Sequence, residues 1–144
     1  MDNNAGDAYV RFDNVQKSYD GVNLVVKDLN LHVQRGEFMT MLGPSGSGKT
    51  TCLMMLAGFE TATSGDIILD GSAINNVPPW KREIGIVFQN YALFPHMTVQ
   101  ENIGYPMQVR KVPKAETDQR VQKALAMVQM EGFAGRRPGQ LSGG

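Results

Sequence analysis

Glu37-Phe-Met-Thr-Met-Leu-Gly-Pro-Ser-Gly-Ser-Gly-Lys-Thr-Thr51 decides how the rest of this 144-residue chain is read. It carries G-x-x-x-x-G-K-[ST] from Gly43 to Thr50, between a short apolar run, Phe38 to Leu42, and a helical pattern from Thr50 to Ala57 closed by Gly58. Strand, glycine-rich loop and helix start, in that order, form a cradle for the phosphates of a nucleoside triphosphate. Gly43, Gly46 and Gly48 have no Cβ, so the backbone can approach a ligand and turn its N–H groups into one concavity. The helix behind the loop adds the positive end of its dipole. Pro44, Ser45 and Ser47 complete the loop and Thr51 follows it. Lys49 brings a mobile charge to the outer phosphates, and the Thr50 hydroxyl is placed to coordinate Mg²⁺.

Composition narrows the classes around that loop. Lys+Arg and Asp+Glu both number 14, so no basic field invites nucleic acid. The Arg136-Arg137 pair is explained by a solvated loop. Cys52 is the single cysteine, so neither an internal disulfide nor a zinc site is expected, and a reducing compartment fits. At 42% hydrophobic residues the chain can pack a core. The first seven residues are polar and lack a signal-peptide core. Cys52 to Ala57, the longest apolar run, falls far short of the ~20 residues that span a bilayer. A membrane role therefore comes through a partner.

The pattern predicts an α/β fold, with a β-rich first part and a helical last third. Tyr9 to Val15 and Val22 to Val33 alternate; Leu29, Leu31 and Val33 share one face, Asn30 and His32 the other. Asp66 to Leu69 reads as a strand ending in the Asp70-Gly71 turn, and Ile84 to Phe88 as a further strand. Trp80 reads as a surface or packing residue. Thr98-Val-Gln-Glu101 is a capping box opening a helix that Pro106 ends or kinks. Lys114 to Val128 places Val121, Ala124, Leu125 and Val128 on one stripe, with Met127 and Met130 expected in the core. Residues 1–90 are expected to form a nucleotide-binding core with the P-loop, and 91–144 a helical subdomain.

Four elements, in order, resemble the ATP-binding subunits of ABC transporters. Tyr19, in Lys17-Ser-Tyr-Asp-Gly21, is similar to the aromatic that stacks on adenine ahead of the P-loop. Gln89, in Val87-Phe-Gln-Asn-Tyr-Ala-Leu-Phe-Pro95, resembles the Q-loop glutamine, and Leu141-Ser-Gly-Gly144 the signature tetrapeptide. The resemblance implies a P-loop NTPase of ABC type that uses ATP and Mg²⁺. Lys49 and Gln89 would serve catalysis, and Thr50 and Gln89 would ligate the metal. Ser142, Gly143 and Gly144 would complete the site of a second copy in a head-to-tail dimer. The helical subdomain would contact permease subunits, with a solute-binding protein engaged indirectly. The subunit would lie peripherally on the cytoplasmic face of the inner or plasma membrane. Asn90-Tyr-Ala-Leu-Phe-Pro-His-Met-Thr-Val-Gln-Glu-Asn102 and Met127-Val-Gln-Met-Glu131 are most similar to spermidine/putrescine importer ATPases.

The family's second carboxylate strand, catalytic glutamate and switch histidine follow the signature, and the sequence stops at Gly144. It therefore reads as the N-terminal portion of such a subunit. Ile67-Ile-Leu-Asp70 stays open as a substitute for that strand, although Asp70-Gly71 reads better as a hairpin turn. Two rivals also stay open. One is a nucleotide-binding fragment incapable of hydrolysis; the other is a small P-loop kinase, which would leave LSGG unexplained.

Overall fold

The computed structural model describes residues 8–142. The chain divides into two compact units, one running to Ile86 and one starting at Val87. The first is built on four antiparallel strands: β1 (Val10–Ser18), β2 (Leu24–Val33), β3 (Ser64–Leu69) and β4 (Ser72–Ala73). They stand in the order β2-β1-β3-β4. Phe12 pairs with Leu31 on one side and Ile67 on the other, so the apolar faces of three strands coincide. The alternation read from sequence holds on β2: His32 and Asn30 are exposed, while Leu29, Leu31 and Val33 are half-buried.

Helix α1 (Lys49–Ala57) packs on this sheet through Cys52 and Met55. With Phe12, Val15, Val26, Ile67 and Ile74 they form the core, and burial pushes the Cys52 thiol pKa up. Gly58 ends the helix at φ 87°, its N–H donating to the Met54 and Met55 carbonyls, a left-handed cap that glycine adopts without strain. The last turn is then held by Arg82, 6% exposed. Its guanidinium donates to the carbonyls of Met55 (2.7 Å), Leu56 (2.9 Å) and Val77 (2.7 Å).

Two expected strands do not form. Residues 38–42 and 84–88 have no ladder partner among the described residues. Phe38 is 94%, Leu42 90% and Val87 90% exposed. A continuous apolar run specifies a strand covered on both faces, and the described residues supply no neighbouring strand to either segment. Asp70 and Gly71 do form the turn between β3 and β4, as the hairpin reading expects. Trp80 is exposed, on a 3-10 turn at Pro79–Lys81.

The second unit holds α2 (Val99–Val109) and α3 (Lys114–Met127). Thr98 caps α2: its hydroxyl accepts from the Glu101 amide at 3.3 Å, and the Glu101 carboxylate accepts from the Thr98 amide at 2.7 Å. Those bonds, the Thr98 backbone bond first, hold the Glu101 pKa below its ordinary value. The next donors are met as well, Val99 by the Arg136 carbonyl and Gln100 by that of Ala134. Pro106 lies inside the helix, which continues to Val109. Val121 and Leu125 are buried as the stripe predicts, but Met127 and Val128 are exposed, at 72% and 62%. The helix ends at Met127 and the chain turns away, carrying Val128 off the stripe.

Candidate nucleotide-binding site

The start of α1 contrasts with that of α2. Gly48 stands at its N-cap with φ 84° and offers no side chain to close the end. The amides of Lys49, Thr50 and Thr51 form no hydrogen bond among the described residues. A helix that leaves its first donors unpaired and exposed is a ready anion site. Gly48 itself is buried, and a Cβ there would come 2.9 Å from the Val25 carbonyl oxygen. That clash, together with the positive φ, explains the glycine. Gly46 has φ 80° with open space around it, so conformation alone selects it.

Gly43, Pro44, Ser45, Gly46 and Ser47 form an exposed loop in front of these amides. Lys49 folds back over it: Nζ donates to the carbonyls of Gly43 (2.8 Å) and Pro44 (2.7 Å) and to Ser47 Oγ (3.1 Å). The ammonium is thereby kept at the loop's mouth, with no acidic partner among the described residues. Thr50 is exposed and Thr51 half-buried at the helix start. An apolar groove of about 620 Å³ lies along β2 and residues 39–44, lined in part by Leu29, Leu31, Met41 and Leu42. Gly43, Pro44, Ser47 and Lys49 line its other side, so the groove opens onto the loop.

Tyr19 comes to the same helix start. Its hydroxyl is 3.5 Å from Thr51 Oγ1, and the residue is 59% exposed. The turn that carries it is tied by Asp20, whose carboxylate accepts from the Val22 and Asn23 amides, the Asn23 side chain and the Ser18 hydroxyl. These bonds, the Asn23 side chain foremost, hold the Asp20 carboxyl far below the usual range. Lys17 lies against the ring, with Nζ 4.7 Å from its centroid. The sequence reading assigned no role to Lys17 or Asp20. Lys17 shares the inward parity of Val15 on β1, a lysine on a core face, and that signal was available.

Gln89 is exposed in the second unit, as are Tyr91, Leu93 and Phe94. Asn102 shapes the segment that follows: its Oδ1 accepts from the Phe94 amide, and its Nδ2 donates to the carbonyls of Phe94, Met97 and Thr98. Ser142 is exposed and lines a small cavity with Phe133, Arg136 and Gln140. Gly143 and Gly144 lie outside the described residues. Asp70, the open substitute for a metal-ligating carboxylate, is paired with Arg35 at 2.8 Å on the solvent side of the hairpin.

The profile of the ABC transporter family matches residues 26–144, from within β2 through the P-loop to the signature tetrapeptide. The chain belongs to the ABC transporter family. This ABC chain is 52% identical over 141 residues to the spermidine/putrescine import ATP-binding protein PotA of Vibrio vulnificus (strain YJ016), covering 98% of the chain and 37% of that protein. The same-named protein of Aggregatibacter actinomycetemcomitans is 57% identical over 130 residues, 90% of the chain and 35% of the relative. The chain thus spans little more than a third of the curated relatives it matches. Its fold resembles a dimeric bacterial ABC transporter cassette at TM-score 0.83 and 33% identity, over 93% of this chain and 63% of that one. A cassette in a post-hydrolysis state with ADP and Pi matches at TM-score 0.80, with the same identity and coverage. No helix of the ABC chain, among the described residues, is long and apolar enough to cross a membrane.

Proposed function

We propose that the chain binds ATP with Mg²⁺ at Gly43–Thr51 and acts as the ATP-binding subunit of a polyamine importer. The observation that carries the nucleotide reading is the open start of α1. Its unpaired amides face an exposed glycine loop, with Lys49 held over it by two carbonyls. Backbone N–H groups and one ammonium form a donor set for the oxygens of a triphosphate. The Thr50 hydroxyl is the metal ligand that the loop offers, and Mg²⁺ when bound would neutralise phosphate charge. Polyamine as the transported solute rests on the relatives' names.

In this reading Tyr19 stacks on adenine, the first-turn amides orient the phosphates, and Lys49 moves from the loop carbonyls to the outer phosphate oxygens. Gln89 positions the attacking water or a metal ligand. Ser142, Gly143 and Gly144 close the site of a second copy. Positioning and charge neutralisation then account for most of the in-line phosphoryl transfer to water. The helical segment from about Met97 to Glu131, with α2 and α3, faces the permease, and the protein lies peripherally at the cytoplasmic side of the membrane.

Two measurements test this. A fluorescent ATP analogue should bind in Mg²⁺, and Lys49→Ala should weaken it at least tenfold; equal affinities would refute the site. Disruption of the encoding gene should abolish uptake of labelled spermidine or putrescine while sparing sulfate. Loss of sulfate uptake alone would refute the solute.

A further inference from the structure

Lys17 is 7% exposed on β1, two residues before Tyr19. Burying an ammonium is costly unless it is paired and hydrogen-bonded. Here Nζ lies 3.0 Å from Glu60 Oε2 and donates to the Thr61 carbonyl at 2.8 Å. Both partners belong to the connection leaving α1, whose amides Phe59 and Glu60 return to the Met54 carbonyl. The third contact is the Tyr19 ring, 4.7 Å from Nζ to centroid. One cation thus fixes three things: the strand end, the exit of the P-loop helix and one face of an otherwise exposed aromatic ring.

We propose that Lys17 is a positioning residue for the nucleotide base, holding Tyr19 from beneath so that the opposite face is presented flat to adenine. This rests on the ATP reading above. A cation within about 6 Å of a ring centroid is attracted by the ring's quadrupole. The same contact draws electron density from the ring, and an electron-rich purine stacks better on such a face. It also removes the rotamer freedom that an exposed tyrosine would otherwise lose on binding. The Asp20 carboxylate, accepting from the Val22 and Asn23 amides, ties the turn that follows Tyr19 in the chain.

The experiment is a double-mutant cycle on the 144-residue chain. Wild type, Lys17→Met, Tyr19→Ala and the double variant are titrated with Mg-ATP and with inorganic tripolyphosphate, which has no base. Lys17→Met should weaken ATP by roughly three- to tenfold and leave tripolyphosphate unchanged. In the Tyr19→Ala background the same substitution should cost nothing further, and Lys17→Arg should restore part of the loss. Equal weakening of both ligands, or equal weakening of ATP in both backgrounds, would overturn the proposal and make Lys17 a scaffold residue. Unchanged ATP affinity in Lys17→Met would overturn it too. Failure of the underlying reading looks different: the wild type would bind neither ligand, whatever stands at position 17.

Discussion

Arg82 and Tyr19 mark the two uses this chain makes of single side chains. Arg82 replaces a missing neighbour: its guanidinium satisfies carbonyls at the end of α1 and in the connection after β4. Arg82→Met keeps the stem but leaves those carbonyls unpaired and buried, so it should cost about 3 kcal/mol, read as a lowered urea midpoint. An unchanged midpoint would mean water replaces the guanidinium. Tyr19 acts outward. Tyr19→Ala should lose about 1–3 kcal/mol of ATP affinity, whereas Tyr19→Phe keeps the stacking face and loses little. Nucleotide titration of both variants separates stacking from the 3.5 Å contact of the hydroxyl with Thr51. Residues were legible in sequence where their role is local. Gly46, the Gly58 helix end and the Thr98–Glu101 box follow from neighbours within a few positions. Lys17 and Arg82 did not, because their partners lie 44 and 27 residues away.

Helix α2 has a sign-testable start. Thr98→Ala should remove about 1 kcal/mol of stability through the lost cap. The carboxylate half of the box adds a pH dependence. The folded-state pKa of Glu101 is depressed by its bonds to Thr98, so its contribution is present above the ordinary carboxylate range. It is lost as pH falls through the lowered value. Stability of wild type and Glu101→Gln should therefore differ at neutral pH and converge in acid, as followed by helical circular dichroism. Divergence in acid would contradict the assignment. Elements were legible when one face or one cap defines them, as for α1, α2 and α3. Residues 38–42 and 84–88 read as strands because their apolar pattern records how they are to be buried. A strand exists only with a ladder partner, and pattern alone names none.

Across the molecule, catalytic machinery and exposed apolar surface bear on the same question. Asp70 lies in the turn after β3, where its exposed carboxylate pairs with Arg35 at 2.8 Å, as a hairpin residue does. We expect phosphate release far below the ordinary enzymatic rate of about 1 s⁻¹, with Asp70→Asn no different from wild type. Turnover that vanishes in Asp70→Asn would reverse that assignment. Phe38, Leu42 and Val87 are large apolar side chains left exposed, the kind of surface that favours association. Self-association should appear in sedimentation velocity and fall in Phe38→Glu; a monomer at all concentrations would contradict it. The bond between Arg82 and the end of α1 has a consequence for inherited variation. A Cβ at Gly58 would lie 2.7 Å from Arg82 Nε. A free arginine would swing aside, but this one is tied to carbonyls on both sides. The φ of 87° strains any side chain at position 58, and the tied guanidinium blocks its Cβ as well. Position 82 can therefore shorten alone, whereas position 58 should change only in descendants that have already shortened position 82.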